Sequence, residues 1–128
     1  MATQTQQIIT GTDFVAVATK DIEAATEFYG TRLGLPQTAG KDGIYAEFNT
    51  GNLTLSIISS ERMGLEYHVN KNSIALQVEN IEAARAAFEA RGVEFRGDTL
   101  DTGVCHMAFF EDPDGNALML HCRYAPRD

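Results

Sequence analysis

The sequence predicts an α+β fold built from two tandem β-α-β-β-β modules in one domain. Three observations predict it. Ile81-Glu82-Ala83-Ala84 repeats Ile22-Glu23-Ala24-Ala25 letter for letter. Each copy follows a short apolar strand pattern, and Phe88 falls where Tyr29 does, so a strand–helix order recurs with the same apolar period. The third observation is the closing stretch from Phe110 to His121. There Asp112-Pro113-Asp114-Gly115-Asn116 separates two apolar strand patterns: Pro fixes φ, Asp and Asn bond local backbone, and Gly permits positive φ. A half of this kind leaves one apolar sheet face uncovered, so the two halves must bury theirs around a common core.

Module one covers about residues 12–58, a linker covers 59–71, and module two covers about 72–124. Residues 1–12 read as a mobile polar tail. Asp13 to Ala18 is the first strand, and Thr19 to Asp21 form a helix start for Ile22 to Tyr29. Gly30, Gly34 and Pro36 are expected to stop that helix. Ile44 to Asn49 and Leu53 to Ile58 flank Thr50-Gly51-Asn52 as a hairpin. Ser59 to Lys71 has no strong periodicity and reads as the linker. In the second half Ser73 to Asn80 is a strand, and Ile81 opens a helix that Gly92 ends. Val93 to Phe95 starts a strand, Gly97 to Gly103 reads as a loop, and the closing hairpin completes the chain.

Composition narrows the function classes. A chain of 128 residues with 44% hydrophobic content can bury a real core. No apolar run approaches the length of a membrane span, and no signal peptide is readable, so a cytoplasmic, membrane-free protein is expected. A net charge of −8 opposes general nucleic-acid binding, which needs clustered cations. Cys105 and Cys122 match no zinc spacing and read as reduced core thiols. Glu111-Asp112-Pro113-Asp114 lacks the spaced ligands of a calcium loop and reads as a turn. His68 and Glu66 lie in the linker as solvated residues, and His106 alternates away from Met107.

The stretch FFEDPDGNALMLH resembles the closing hairpin of the vicinal-oxygen-chelate superfamily, which includes glyoxalase I, bleomycin-binding proteins, fosfomycin-resistance transferases and extradiol dioxygenases. DFVAVATKDIEAATEFYGTRLGLP is similar to the first motif of that family, and the resemblance runs from about Thr12 to Arg123. It implies two curved half-barrel sheets with a cleft. It also implies metal ligands at four places: a His at position 14, a His or Glu near Leu55 to Ile57, a His at position 73 and a Glu at position 119. This chain has Phe14, Leu55 or Ile57, Ser73 and Met119 there. A phenyl ring and a thioether cannot hold a hard divalent ion, so no metal and no other cofactor is expected.

Alternation groups Phe14 with Ala16 and Ala18, and Ser73 with Ala75 and Gln77. It likewise groups Cys105, Met107 and Phe109, and Ala117, Met119 and His121. The resemblance assigns these groups to the cleft, together with Ala46, Phe48, Leu53, Leu55 and Ile57 of the first hairpin. The expected ligand-binding set is therefore Phe14, Ala16, Phe48, Leu55, Ile57, Ser73, Gln77, Cys105, Met107, Phe109, Met119 and His121. Two readings of this lining stand: an open cleft for a small cationic or aromatic organic ligand, as in bleomycin-binding members, or a filled core. A catalytic alternative is a lyase, isomerase or epimerase with a non-standard site, for which His121 is the candidate acid or base. The resemblance also implies a homodimer, with Ile8-Ile9 in an exchanged N-terminal strand.

Overall fold

The computed structural model describes residues 6–127. The part of the expected N-terminal tail at residues 1–5 lies outside them, and residues 6–13 form neither helix nor strand. Eight strands form two four-stranded sheets. The first sheet contains β1 (Phe14–Thr19), β2 (Gln37–Lys41), β3 (Tyr45–Asn49) and β4 (Thr54–Ser59), in the order β1-β4-β3-β2. The second contains β5 (Ile74–Gln77), β6 (Phe95–Asp101), β7 (Cys105–Glu111) and β8 (Ala117–Arg123), in the matching order β5-β8-β7-β6. In each sheet the first strand runs parallel to the last, and the other neighbours are antiparallel. The two halves thus share one topology, and the sheets do not close.

The crossover helices begin in the same way. Asp21 accepts from the Ala24 N–H at 3.1 Å to cap α1 (Ile22–Thr26), and Asn80 accepts from the Ala83 N–H at 2.9 Å to cap α3 (Ile81–Ala90). They then differ. Gly30 does not stop the first helix, which passes into a π-helical turn over Glu27–Arg32. The Leu33 N–H closes that turn on the Phe28 carbonyl at 2.9 Å. The chain leaves the turn at Gly34, whose φ of +72° suits glycine, as does the +88° of Gly92 after α3. The two exits are stapled reciprocally: Arg91 donates to the Arg32 carbonyl at 3.1 Å, and Arg32 donates to the Gly92 carbonyl at 3.3 Å.

Three further elements depart from the sequence expectation. Gln37–Lys41 is an edge strand, exposed throughout, with no apolar alternation to announce it. Phe95–Asp101 is one strand rather than a strand start and a loop; a register shift between Arg96 and Leu100 accommodates Gly97 and Asp98. Within the expected linker, Ser59 caps a single helical turn, α2 (Ser60–Met63), by accepting from the Arg62 N–H at 3.3 Å.

One core serves both modules. The helix-facing sides of the sheets bury Val17, Ala46, Phe48, Leu55 and Ile57 from the first, and Ala108, Phe110, Leu118 and Leu120 from the second. Phe28 and Tyr29 join them. Ring centroids step from Phe48 to Tyr29 (5.8 Å), Phe28 (5.3 Å), Phe110 (6.3 Å) and Phe95 (5.1 Å), an aromatic line from one sheet to the other.

The acidic turn of the closing hairpin adds a polar joint between the modules. Asp112 is 5% exposed and Asn116 is fully buried. The Asp112 carboxylate accepts from the Tyr29 hydroxyl at 2.7 Å and the Asn116 amide at 2.8 Å through one oxygen. Through the other it accepts from the backbone N–H groups of Asp114 and Asn116, each at 2.9 Å. Asn116 also donates to the Ala18 carbonyl at 2.8 Å, and Asp114 accepts from the Thr19 hydroxyl at 2.5 Å and the Tyr67 hydroxyl at 3.0 Å. No buried side-chain polar atom among the described residues lacks a partner. Burial, then the charge and hydrogen bond of Asp112, push the Tyr29 phenol well above its ordinary pKa.

Candidate ligand-binding site

Strand register identifies which side chains share the faces turned away from the core. In the second sheet Ala75 lies beside Met119 and Gln77 beside His121, while Phe109 is paired with Met119 and Met107 with His121. Their neighbours Ile74, Leu76, Ala108, Phe110, Leu118 and Leu120 are in the core cluster or packed on it. Met107, Phe109, Met119 and His121 are half-buried on this outer face. They form a shelf of a phenyl ring, two thioethers and an imidazole, with the Gln77 amide at its edge. Ser73 alternates onto the same side just before β5. Cys105 shares the face at the end of β7 but is buried, 3.1 Å from the Thr102 hydroxyl.

The first sheet corrects part of the expected set. Phe14 and Ala16 are exposed on its outer face, with Phe14 54% accessible. Phe48, Leu55 and Ile57 are on the opposite side and fully enclosed in the core, as is Ala46. The reason is simple. Along β4 the apolar residues alternate with Thr54 and Ser56, and the apolar side of a one-sided sheet goes to the core. The outer face therefore takes Thr54 beside Phe14 and Ser56 beside Ala16, with Glu47 opposite Ser56. Ser56 is placed by the register of β4 on β1, and Glu47 by the register of β3 on β4.

The divalent ion of the family can be tested against these positions. Moving the β4 position onto the outer face leaves Phe14, Thr54 or Ser56, Ser73 and Met119, with Glu47 as a nearby carboxylate. A phenyl ring, hydroxyls and a thioether do not supply the imidazole and carboxylate donors that such an ion takes. Among the described residues no group of three or more His, Cys, Asp and Glu is placed to hold a metal. The residues do not fit the ion.

A cavity of about 1020 Å³ opens at the β5 edge of the second sheet. Ala75, Gln77 and His121 line it from the shelf side, and Leu33, Leu35 and the Thr50–Asn52 hairpin line it from the first module. Gln77 and His121 are thus brought together. Of the expected set only Gln77 and His121 line this cavity: Phe14 and Ala16 lie on the other sheet, and Met107, Phe109 and Met119 lie on the shelf outside it. The His121 ring makes no hydrogen bond among the described residues, its backbone carbonyl alone accepting from the Val78 N–H at 3.0 Å, so no carboxylate orients it as a base.

The other histidines sit apart. His106 faces away from the shelf, 3.5 Å from Asp101 and stacked on Tyr124 at 4.9 Å. The Tyr124 hydroxyl bond and the Gly103 N–H hold the Asp101 carboxyl below its usual range, and the same Asp101 contact raises the Tyr124 phenol. His68 and Glu66 form an exposed pair in the linker at 3.5 Å. No helix among the described residues is long and apolar enough to cross a membrane.

Over residues 11–120 the chain matches the family model described as Glyoxalase/Bleomycin resistance protein/Dioxygenase superfamily. No curated protein matches it. Solved structures share its fold at low identity. A lactoylglutathione lyase from Agrobacterium tumefaciens superimposes with a TM-score of 0.78 at 16% identity, covering 89% of this chain and 94% of its own. A glyoxalase/bleomycin resistance protein/dioxygenase from Nocardioides gives 0.75 at 24% identity, with coverages of 97% and 91%. TnmS3, an antibiotic binding protein from Streptomyces sp. CB03234, gives 0.77 at 22% identity, with coverages of 93% and 100%.

Proposed function

Because this chain belongs to the glyoxalase/bleomycin resistance protein/dioxygenase superfamily, we propose that it is a metal-independent member that binds a small aromatic organic molecule. One observation carries the reading: the outer face of the second sheet presents Met119 where the family's ligand carboxylate would stand, with Met107 and Phe109 half-buried beside it. Polarizable, flat side chains with few polar points suit a planar ligand oriented by one or two hydrogen bonds, here from Gln77 and His121. The unoriented His121 favours binding over catalysis, and an antibiotic binding protein among the neighbours of this fold supports a sequestering role. A cationic ligand is not favoured, because the carboxylate that β7 presents on this face, Glu111, is already paired with Arg96 at 2.6 Å.

Calorimetric titration of chelator-treated protein with a panel of planar aromatic natural products tests this. At least one binds, and Phe109→Ala weakens it by about tenfold through lost ring contact. Binding that disappears on chelation and returns with added nickel or manganese overturns metal independence. A panel without any binder overturns the ligand reading.

We further propose that the chain works as a homodimer in which the N-terminal segment around Ile8-Ile9 is exchanged between copies. Supporting this, Ile8 and Ile9 are 87% and 76% exposed, next to a first strand that begins with exposed Phe14. Light scattering at micromolar concentration is expected to give twice the chain mass, and a monomer would remove the proposal.

A further inference from the structure

The protein is acidic overall, with a net charge of −8, yet the cavity beside Gln77 and His121 collects positive charge. Arg123 and Arg127 both line it, against Glu79 as its one acidic side chain among the described residues. Arg123 also explains how Arg127 comes to be there. Its Nε donates to the Ala125 carbonyl at 2.9 Å and its Nη2 to the Pro126 carbonyl at 3.1 Å. These bonds fold the segment after β8 back on itself and carry Arg127 to the cavity wall. A guanidinium has five N–H donors, so Arg123 keeps three after making them. Neither arginine forms an ion pair among the described residues. Arg32, Arg85, Arg91 and Arg96 use their guanidinium groups on carbonyls or carboxylates elsewhere in the fold, whereas the Arg127 side chain makes no hydrogen bond among the described residues.

A molecule of net negative charge repels anions at a distance, so a site for one must provide its cations locally. Guanidinium groups do this best, matching a carboxylate with paired hydrogen bonds. We infer that an organic anion binds across the mouth of the cavity, with its carboxylate at Arg123 and Arg127 inside and its aromatic body on the adjoining Met107, Phe109 and Met119 shelf outside. Met119, His121 and Arg123 alternate onto one side of β8 and connect the two. Gln77 and His121 stand between the two ends of such a ligand. The inference rests on the aromatic-binding reading above and adds the sign of the ligand's charge.

Three probes of one shape separate the two ideas: naphthoate, its neutral amide naphthamide, and the cation naphthylmethylamine, titrated calorimetrically at fixed ionic strength. Naphthoate is expected to bind about tenfold more tightly than naphthamide, and the amine more weakly than either. Arg127→Gln, at an exposed position after the last strand, should remove most of that preference by weakening naphthoate far more than naphthamide; Arg127→Lys should restore part of it. Equal affinity for acid and amide, or a preference for the amine, overturns the anion inference and leaves the aromatic reading standing. A preference unchanged in both Arg127→Gln and Arg123→Gln overturns the assigned residues. Failure of all three probes to bind, with a binder found in the aromatic panel, overturns the anion inference alone; failure of the probes and the panel alike overturns the aromatic reading.

Discussion

Replacing Asp112 with Ala is expected to lower the unfolding free energy by about 4 kcal/mol, a large share of what a domain of this size has. The carboxylate takes four hydrogen bonds, from the Tyr29 hydroxyl, the Asn116 amide and two backbone N–H groups of its own turn. Tyr29 and Asn116 are fully enclosed, so water cannot replace the lost acceptor for them. Each stranded buried donor costs about 1–3 kcal/mol, while the Asp114 N–H, being partly accessible, recovers some of its loss. The effect should extend beyond the hairpin, because Asn116 also holds the Ala18 carbonyl and the Asn70 N–H. Asp112→Asn is a sharper probe: it keeps the shape but turns an amide nitrogen toward two donors or breaks the turn. Urea unfolding curves of the two variants check this. A loss below about 1 kcal/mol in both would mean that the aromatic line alone holds the modules together.

The topology was legible because it is written twice. A repeated tetrapeptide on a helix, a strand pattern before each copy and turn chemistry in the last hairpin are local signals, and the structure follows them. In the second sheet alternation supplied the grouping of Met107 with Phe109 against Ala108 and Phe110, while the choice of face came from the family resemblance. The first hairpin misled because its apolar residues were read as a ligand surface, whereas they are the core side and the opposite side of β4 carries Thr54 and Ser56. The strands at Gln37–Lys41 and Phe95–Asp101 are exposed edges, where no burial pattern forms and a bulge interrupts the period. Asp112 was read as turn chemistry, which it supplies. Its bond to Tyr29 spans 83 residues, and nothing local announces it. The arginines of the cavity were missed for a related reason: Arg127 reaches the wall only because Arg123 binds the carbonyls between them.

The Tyr29–Asp112 joint should also make the protein sensitive to alkali. Tyr29 is held protonated by burial first, then by the neighbouring carboxylate charge and the hydrogen bond it donates to it. Its folded-state pKa therefore lies above that of the unfolded chain, about 10 for a free phenol. The stabilisation tied to its proton is complete below pH of about 10. Above that the unfolded chain releases the proton while the folded chain keeps it, so stability falls as pH rises, at about 1.4 kcal/mol per pH unit from this group alone. Tyr29→Phe isolates the contribution. At pH 8 the variant should be less stable than the wild type, since Asp112 loses a buried donor. Between pH 10 and pH 12 the gap should close by roughly 2–3 kcal/mol, because only the wild type has this proton to lose in unfolding. Urea midpoints for both proteins across this range measure it, with every other titrating group common to the pair. A gap that stays constant would show that the phenol ionises as readily in the folded chain as in the unfolded one, and that its site admits water.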